Sequence, residues 1–264
     1  MMPSWPTALV EDRVELFALK GVPLVKPGDD LCALIMGALA LSDLVLRDGD
    51  VVVLAQKIVS KSQNRYVRLA GIQPGDEARR LSVLADKDPR IVELILRESK
   101  QVLRCVLGVI VVETKQGFVL ANAGIDRSNV DQPTDDEQVL LLPEDPDETC
   151  ERLRRSLHEA AAADVGVVIN DSLGRAWRNG TVGTALGVSG LPALQDLRGI
   201  PDLFGEKLRS TDVGMADEIA AAASLVMGQS DEGRPIVLMR GIRHPRPGGR
   251  GRDLLRPHEK DLFR

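Results

Sequence analysis

The sequence predicts a mixed α+β protein. Short β-branched runs that read as strands recur along the chain, and the helical stretches between them lack the regular alternation of a doubly wound parallel sheet. With 264 residues and 44% hydrophobic content, the chain can build a substantial core as one large domain or two intertwined ones.

The elements follow in order. Residues 29–40 repeat apolar positions at helical spacing behind Asp29 and Asp30, which predicts a helix. Its run "LCALIMGALAL" is well short of the roughly 20 residues a membrane span requires, so it reads as a core helix and no membrane partner is expected. "VVVLA" (51–55) is a strand. Residues 90–105 set Ile91, Leu94, Ile95 and Val102 on one helical face, and "GVIVVE" (108–113) and "FVLA" (118–121) are strands. "DQPTDDEQ" (131–138) is an acidic, turn-rich loop and a candidate boundary between two lobes. Residues 145–163 form the clearest helix, with Asp145 as cap, Pro146 in the first turn, Glu148 completing a capping box, and Leu153 and Leu157 sharing a face. "VGVVIN" (165–170) is a strand buried on both faces, residues 213–228 are a helix ended by Gly228, and "PIVLM" (235–239) is another strand. The basic, Gly/Pro-rich tail 243–264 reads as a flexible segment before a short terminal helix, with phosphate or RNA contact as the alternative.

Composition narrows the function. Lys and Arg total 34 against 39 Asp and Glu, a net charge of −5, which argues against a general nucleic-acid or anionic-membrane binder. The N-terminus lacks the pattern of a secretory signal, so a cytoplasmic protein is expected. Cys32, Cys105 and Cys150 are too widely spaced to suggest a disulfide framework or a CxxC metal site. There is no P-loop, GxGxxG, HExxH or GxSxG motif, and His158, His244 and His258 give little support to a Ser-His-Asp triad. Catalysis is therefore expected to rest on carboxylates, cations and metal.

Four stretches offer such groups. In "VVINDSLGRAWRNGTVG" (167–183), Asp171 and Ser172 at a strand exit offer adjacent oxygens to a divalent cation. Gly174, Gly180 and Gly183 would admit an anion to backbone amides, and Arg175 and Arg178 would balance phosphate charge. Taken alone, the same residues also describe an Asx-turn beside surface arginines. A second strand exit, "ANAGIDRSNV" (121–130), supplies Asp126, Ser128 and Asn129, so two carboxylates can converge on one cation. "GVPLVKPGDD" (21–30) is a Gly/Pro-punctuated loop carrying Lys26. "AQKIVSKSQNR" (55–65) brings Gln56, Lys57, Ser60 and Lys61, which suit phosphate or nucleotide contact or a solvated basic helix start.

Taken in order, the blocks at 21–31, 49–65, 122–130, 171–190, 196–208 and 216–229 resemble the coenzyme F420-0:L-glutamate ligase family, the γ-glutamyl ligases of a deazaflavin coenzyme. The resemblance implies the family's mixed-sheet, two-lobed α+β fold in an intertwined homodimer, with one ligase unit over 1–264, discontinuous lobe boundaries and no C-terminal flavin-binding redox domain. It also implies GTP as co-substrate, two divalent cations (Mg2+ or Mn2+) per site and K+ as a candidate further ion. Carried over by motif, Asp126 and Asp171 would hold one cation, and Ser172 and Gln229 the other. The nucleotide would meet Val22, Pro23, Leu24, Val25, Gln56, Lys57, Lys61 and Asn129. The loop of Met227, Gly228, Gln229, Ser230, Asp231, Glu232, Gly233 and Arg234 would close over it. Asp126 and Asp171, aided by Arg175 and Arg178, would serve phosphoryl transfer to coenzyme F420-0 and its ligation to L-glutamate, giving F420-1 or a longer tail. The alternatives are a nucleotide-dependent amide ligase for another carboxylate, or a non-catalytic nucleotide- or RNA-binding protein using residues 244–264.

Overall fold

A computed structural model describes residues 10–132, 137–242 and 248–261. The first half contains β1 (Val10–Ala18), α1 (Leu31–Leu41), β2 (Val51–Ala55), α2 (Gln56–Ser62), β3 (Tyr66–Arg68), α3 (Asp76–Ala85), α4 (Pro89–Arg97), β4 (Ser99–Val106), β5 (Val109–Thr114) and β6 (Val119–Ala121). It continues with β7 (Gln138–Leu140), α5 (Pro146–Ala161), β8 (Gly166–Arg175), β9 (Arg178–Ser189), β10 (Gln195–Asp196), β11 (Asp212–Val213), α6 (Met215–Met227) and β12 (Ile236–Ile242). The predicted mixed α+β class is the one observed. No helix among the described residues is long and apolar enough to cross a membrane.

The central sheet runs in the order β1-β12-β2-β8-β9, with β2 and β8 parallel and every other pair antiparallel. β2, β12 and the first half of β8 are buried on both faces, and side-chain alternation sorts their residues into two cores. Val52, Leu54, Val167, Ile169, Ile236 and Leu238 pack against α1, α2 and α5. Their neighbours Val51, Val53, Val168, Val237 and Met239 pack against α6. The sheet is thus the middle of three layers. A separate three-stranded sheet, β4-β5-β6, packs with α3 and α4 around Leu81, Val92, Ile95, Ile110 and Val112.

Several elements differ from the sequence-based expectation. The helix expected over 90–105 stops at Arg97, because the apolar spacing that supports Val92, Leu94 and Ile95 lapses across Ser99, Lys100 and Gln101. Those residues begin β4, which pairs with β5 across the turn at Leu107 and Gly108. The strand expected to end at residue 170 continues to Arg175 and turns into the long β9. Gly183 and Gly187 of β9 are demanded by packing, whereas Gly180 is open. A Cβ at Gly183 would overlap the Ala220 carbonyl and the Ser224 hydroxyl of α6, and one at Gly187 would overlap the Pro146 carbonyl of α5.

The α5 start follows its Asp145 and Pro146 signals, but Glu148 does not complete the expected capping box. Asp145 accepts from the Glu148 N–H at 2.9 Å and Pro146 opens the helix, while the Glu148 carboxylate lies 3.7 Å from Arg155. One residue further on, the buried Asp147 carboxylate accepts from Val188 N (3.0 Å), Gly251 N (2.6 Å), Arg252 N (3.3 Å) and Arg252 Nε (3.1 Å). This carboxylate clips the C-terminal segment to β9, and Leu255 packs on the α5 core beyond it. Residues 248–261 are therefore docked and contain two short 3-10 turns, not the expected flexible segment and terminal helix. His244 and the start of the tail, like residues 133–136 of the acidic loop, lie outside the described residues.

Asp147→Ala would orphan several buried N–H groups at once and is expected to lower unfolding free energy by about 3 kcal/mol. Urea unfolding of the full chain measures this. A loss under about 1 kcal/mol would show that the clip contributes little.

Candidate active site

The site forms where the parallel pair ends. β2 pairs with β8 from Val51↔Gly166 to Ala55↔Asn170, after which β2 passes directly into α2 and β8 continues beside β9 alone. Gln56 and Lys57 in the first turn of α2 therefore emerge next to Asp171. Alternation places Asp171 on the α2 side of β8, and Asn170 and Ser172 on the α6 side.

Asp126 enters from the turn after β6, held by a two-way backbone bridge to Leu140 at 2.9 Å each way. Gln56 Nε2 donates to Asp126 Oδ2 at 2.7 Å, and Lys57 Nζ lies 3.5 Å from Asp126 Oδ1. The buried Ser60 hydroxyl donates to Gln56 Oε1 at 3.0 Å, which orients the amide so that its NH2 faces the carboxylate. Lys57 Nζ also donates to Ser128 Oγ at 2.8 Å, and Lys61 Nζ donates to the Asn129 carbonyl at 2.7 Å. On the other side of β8, Ser172 Oγ donates to Gln229 Oε1 at 2.7 Å, and Asn129 Nδ2 donates to the Ser230 carbonyl at 3.0 Å. The loop after α6 is thereby tied to both strand exits. Gly228 turns the chain out of α6 at φ 76°, where the Glu232 carboxylate packs over it and accepts from Ser230 N at 2.8 Å.

The carboxylates are charged against resistance. Burial, then the charge of Asp126, pushes the Asp171 carboxyl from an ordinary 3.8 up to about 6, against the opposing Ser172 N–H and Lys57. Burial also raises Asp126, outweighing its contacts with Lys57 and Gln56. Lys61 is lowered by burial and then by Lys57, with Asp131 opposing. In contrast, the exposed Glu232 is lowered by backbone N–H donors, Ser230 first, and by Arg234.

Not every expected residue joins this cluster. Arg175 and Arg178 pair across the tip of the β8–β9 hairpin, with Arg175 Nη1 donating to the Gly180 carbonyl at 3.1 Å. Four extended residues put Arg175 about 13 Å along the strand from Asp171. Gly183, expected to admit an anion, is filled by α6, whereas Gly174 and Gly180 are open. In the 22–25 loop, Val25 is buried, and Leu24 is exposed. That loop is joined to α2 through Gly28 N, which donates to the Ser62 carbonyl at 2.9 Å. Met227 is in the α6 core, and Asp231, Gly233 and Arg234 lie on the exposed loop. Asn170 escaped sequence reasoning, although a lone amide closing an apolar strand was its signal. A cavity of about 400 Å3 lies elsewhere, between the start of α5, the end of β9 and residues 248–252, and includes none of the expected site residues.

Among the described residues, no three His, Cys, Asp or Glu side chains cluster to hold a metal. Beside the two aspartates stand the Gln56 amide NH2 and the Lys57 ammonium, and the Ser172 and Gln229 oxygens lie on the other face of β8. A mixed α+β fold with half-buried, interacting carboxylates where two interior parallel strands end has the form of an α+β protein with a candidate site at the strand ends. A family model described as F420-0:Gamma-glutamyl ligase matches residues 21–241, and the chain belongs to that family. It is 47% identical over 253 residues to a coenzyme F420:L-glutamate ligase of Methanothermobacter thermautotrophicus, covering 95% of this chain and 99% of the relative. It is 41% identical over 256 residues to the protein of the same description from Methanocaldococcus jannaschii (96% and 97% covered). A similarly described protein of Haloarcula marismortui is 41% identical over 260 residues (95% and 96%).

The raised Asp171 carboxyl gives a pH test. Its folded value lies above the unfolded one, so between about pH 4 and 6 the folded chain holds the extra proton and stability falls as pH rises. Above about pH 6 the full penalty applies, on the order of 3 kcal/mol before sharing with Asp126. Without metal, Asp171→Asn is expected to match the parent below about pH 4 and to exceed it in Tm above about pH 6. A pH-independent difference would contradict the assignment.

Proposed function

We propose that this chain is a GTP-dependent ligase that joins L-glutamate to coenzyme F420-0, forming F420-1 and further γ-glutamyl units where the groove admits them. The observation that carries the reading is the Asp126–Asp171 pair. Two half-buried carboxylates face one close ammonium, Lys57, and both resist ionisation. Such a set suits a divalent cation, Mg2+ or Mn2+, whose charge would remove the mutual repulsion. Ser172 Oγ and Gln229 Oε1, together on the other face of β8, are oxygen donors for a second cation, and K+ is a further candidate ion. When bound, the cations supply charge stabilisation at the transferring phosphoryl group.

The chain's own residues do the rest. Lys57 and Lys61 meet phosphate oxygens, exchanging Ser128 and the Asn129 carbonyl for them. Asn129 and the 228–234 loop enclose the nucleotide, with the 22–25 loop beside α2. GTP transfers its γ-phosphoryl group to the acceptor carboxylate, giving an acyl phosphate and GDP. The deprotonated amine of L-glutamate attacks the acyl carbon, and phosphate leaves as the amide forms. The names of the relatives supply the coenzyme F420 and L-glutamate of this reading, and GTP comes from the family resemblance alone. It also carries a cytoplasmic homodimer of intertwined two-lobed subunits, with a single ligase unit over 1–264. The exposed Trp177, Leu203 and Phe204 are apolar surface that a second copy would cover.

The test incubates the purified chain with the deazaflavin acceptor, L-glutamate, GTP and Mn2+, following GDP release and product mass together. A gain of one or more glutamyl units that EDTA abolishes is expected. GDP release without that gain would point to another acceptor or an uncoupled enzyme, and neither signal from folded protein would favour a binding protein. Asp171→Ala is expected to leave less than about a tenth of the turnover. Greater retention would remove it from the chemistry.

A further inference from the structure

Asn170 is the last β8 residue that pairs with β2, and it ends an otherwise apolar run. It is 4% exposed and lies on the α6 side of the strand. Its Nδ2 donates to Ser224 Oγ at 3.1 Å and sits 3.5 Å from Met227 Sδ. The buried Oδ1 has no hydrogen-bond partner. Exchanging the amide's O and N would orphan a group as well, so either orientation keeps one buried polar atom unsatisfied. An apolar residue would avoid that cost, which makes the bond to α6 the feature to explain.

Ser172, two residues along the same face, bonds Gln229, two residues beyond Met227. Strand and helix end are thus joined by two rungs, one buried through Asn170 and one exposed through Ser172, with Gly228 between them. We propose that Asn170 is a positioning residue. By holding Ser224 and Met227 it fixes where α6 ends, and so keeps Gln229 and the 228–234 loop against Ser172 and Asn129. That the loop thereby meets the nucleotide in register rests on the ligase reading; the anchoring does not.

Hydrogen exchange of the full chain, free of metal and nucleotide, tests the anchor. Asn170→Ala and Ser224→Ala are each expected to speed exchange of the 229–234 amides about fivefold, the double variant no further, while β2 and β12 keep their protection. Because Asn170→Ala also deletes the orphaned oxygen, its Tm should move less than the loop does. Ser224→Ala places a good helix former on α6 and leaves β8 intact, so it decides the matter if the strand variant folds poorly. Unchanged loop exchange, additive effects, or an equal rise in β2 and β12 would overturn the proposal. With active enzyme, the KM for GTP should rise by about the same factor with kcat nearly constant. A fall in kcat alone would overturn the link to the nucleotide. Failure of wild type to release GDP would end the ligase reading and leave the exchange result standing.

Discussion

Parallel pairing of β2 with β8 is the constraint on which the rest of the structure depends. Parallel neighbours cannot be joined by a tight turn, so residues 56–165 must leave the sheet and return to it. That excursion contains the β4-β5-β6 sheet with α3 and α4, and it delivers Asp126 back to the place it left. Both strands of the pair stop ladder contact at one level, Ala55 beside Asn170, so Gln56 and Lys57 become neighbours of Asp171 by geometry alone. The carboxyl ends of parallel strands are where α/β sheets collect ligands, and the same logic operates here with a single parallel pair.

Much of this was legible in the sequence. The β-branched runs at 51–55, 108–113, 118–121, 165–170 and 235–239 all lie largely on strands, and 51–55, 165–169 and 235–239 are apolar throughout because they are buried on both faces. The clearest helix was the one with Asp145, Pro146 and the four-residue spacing of Leu153 and Leu157. What stayed hidden was structure whose local signal points elsewhere. β9 is rich in glycine because α5 and α6 pass too close for a Cβ, and sequence alone cannot distinguish that from a loop that binds anions. β4 was absorbed into the preceding helix because Val102 falls seven residues after Ile95, a spacing that both periods can accommodate at one position.

The site was legible to a different degree. Asp126 and Asp171 stand out as carboxylates after apolar strands, and the fold does couple them. Their energetics were not readable, since the rise in Asp171 comes from burial and from the partner charge, both products of packing between segments 45 residues apart in number. The arginines show the converse. Arg175 and Arg178 are close to Asp171 in sequence, yet an extended strand carries them away from it, because adjacent in a β-hairpin means distant along its axis.

The cluster contains more negative charge than its close cation balances, a local cost that a merely structural site would not retain. It is also bonded internally. Lys57 has Ser128, Lys61 has the Asn129 carbonyl, and Ser172 has Gln229. A ligand at these groups would exchange hydrogen bonds with little net change in their number, so its binding would draw mainly on charge neutralisation at Asp126 and Asp171. The internal bonds also keep long side chains ordered beforehand, which lowers the entropy lost when an anion arrives. An overcharged pair surrounded by exchangeable partners is therefore both preorganised and unrelieved, and those two properties together favour a ligand that brings cations with it.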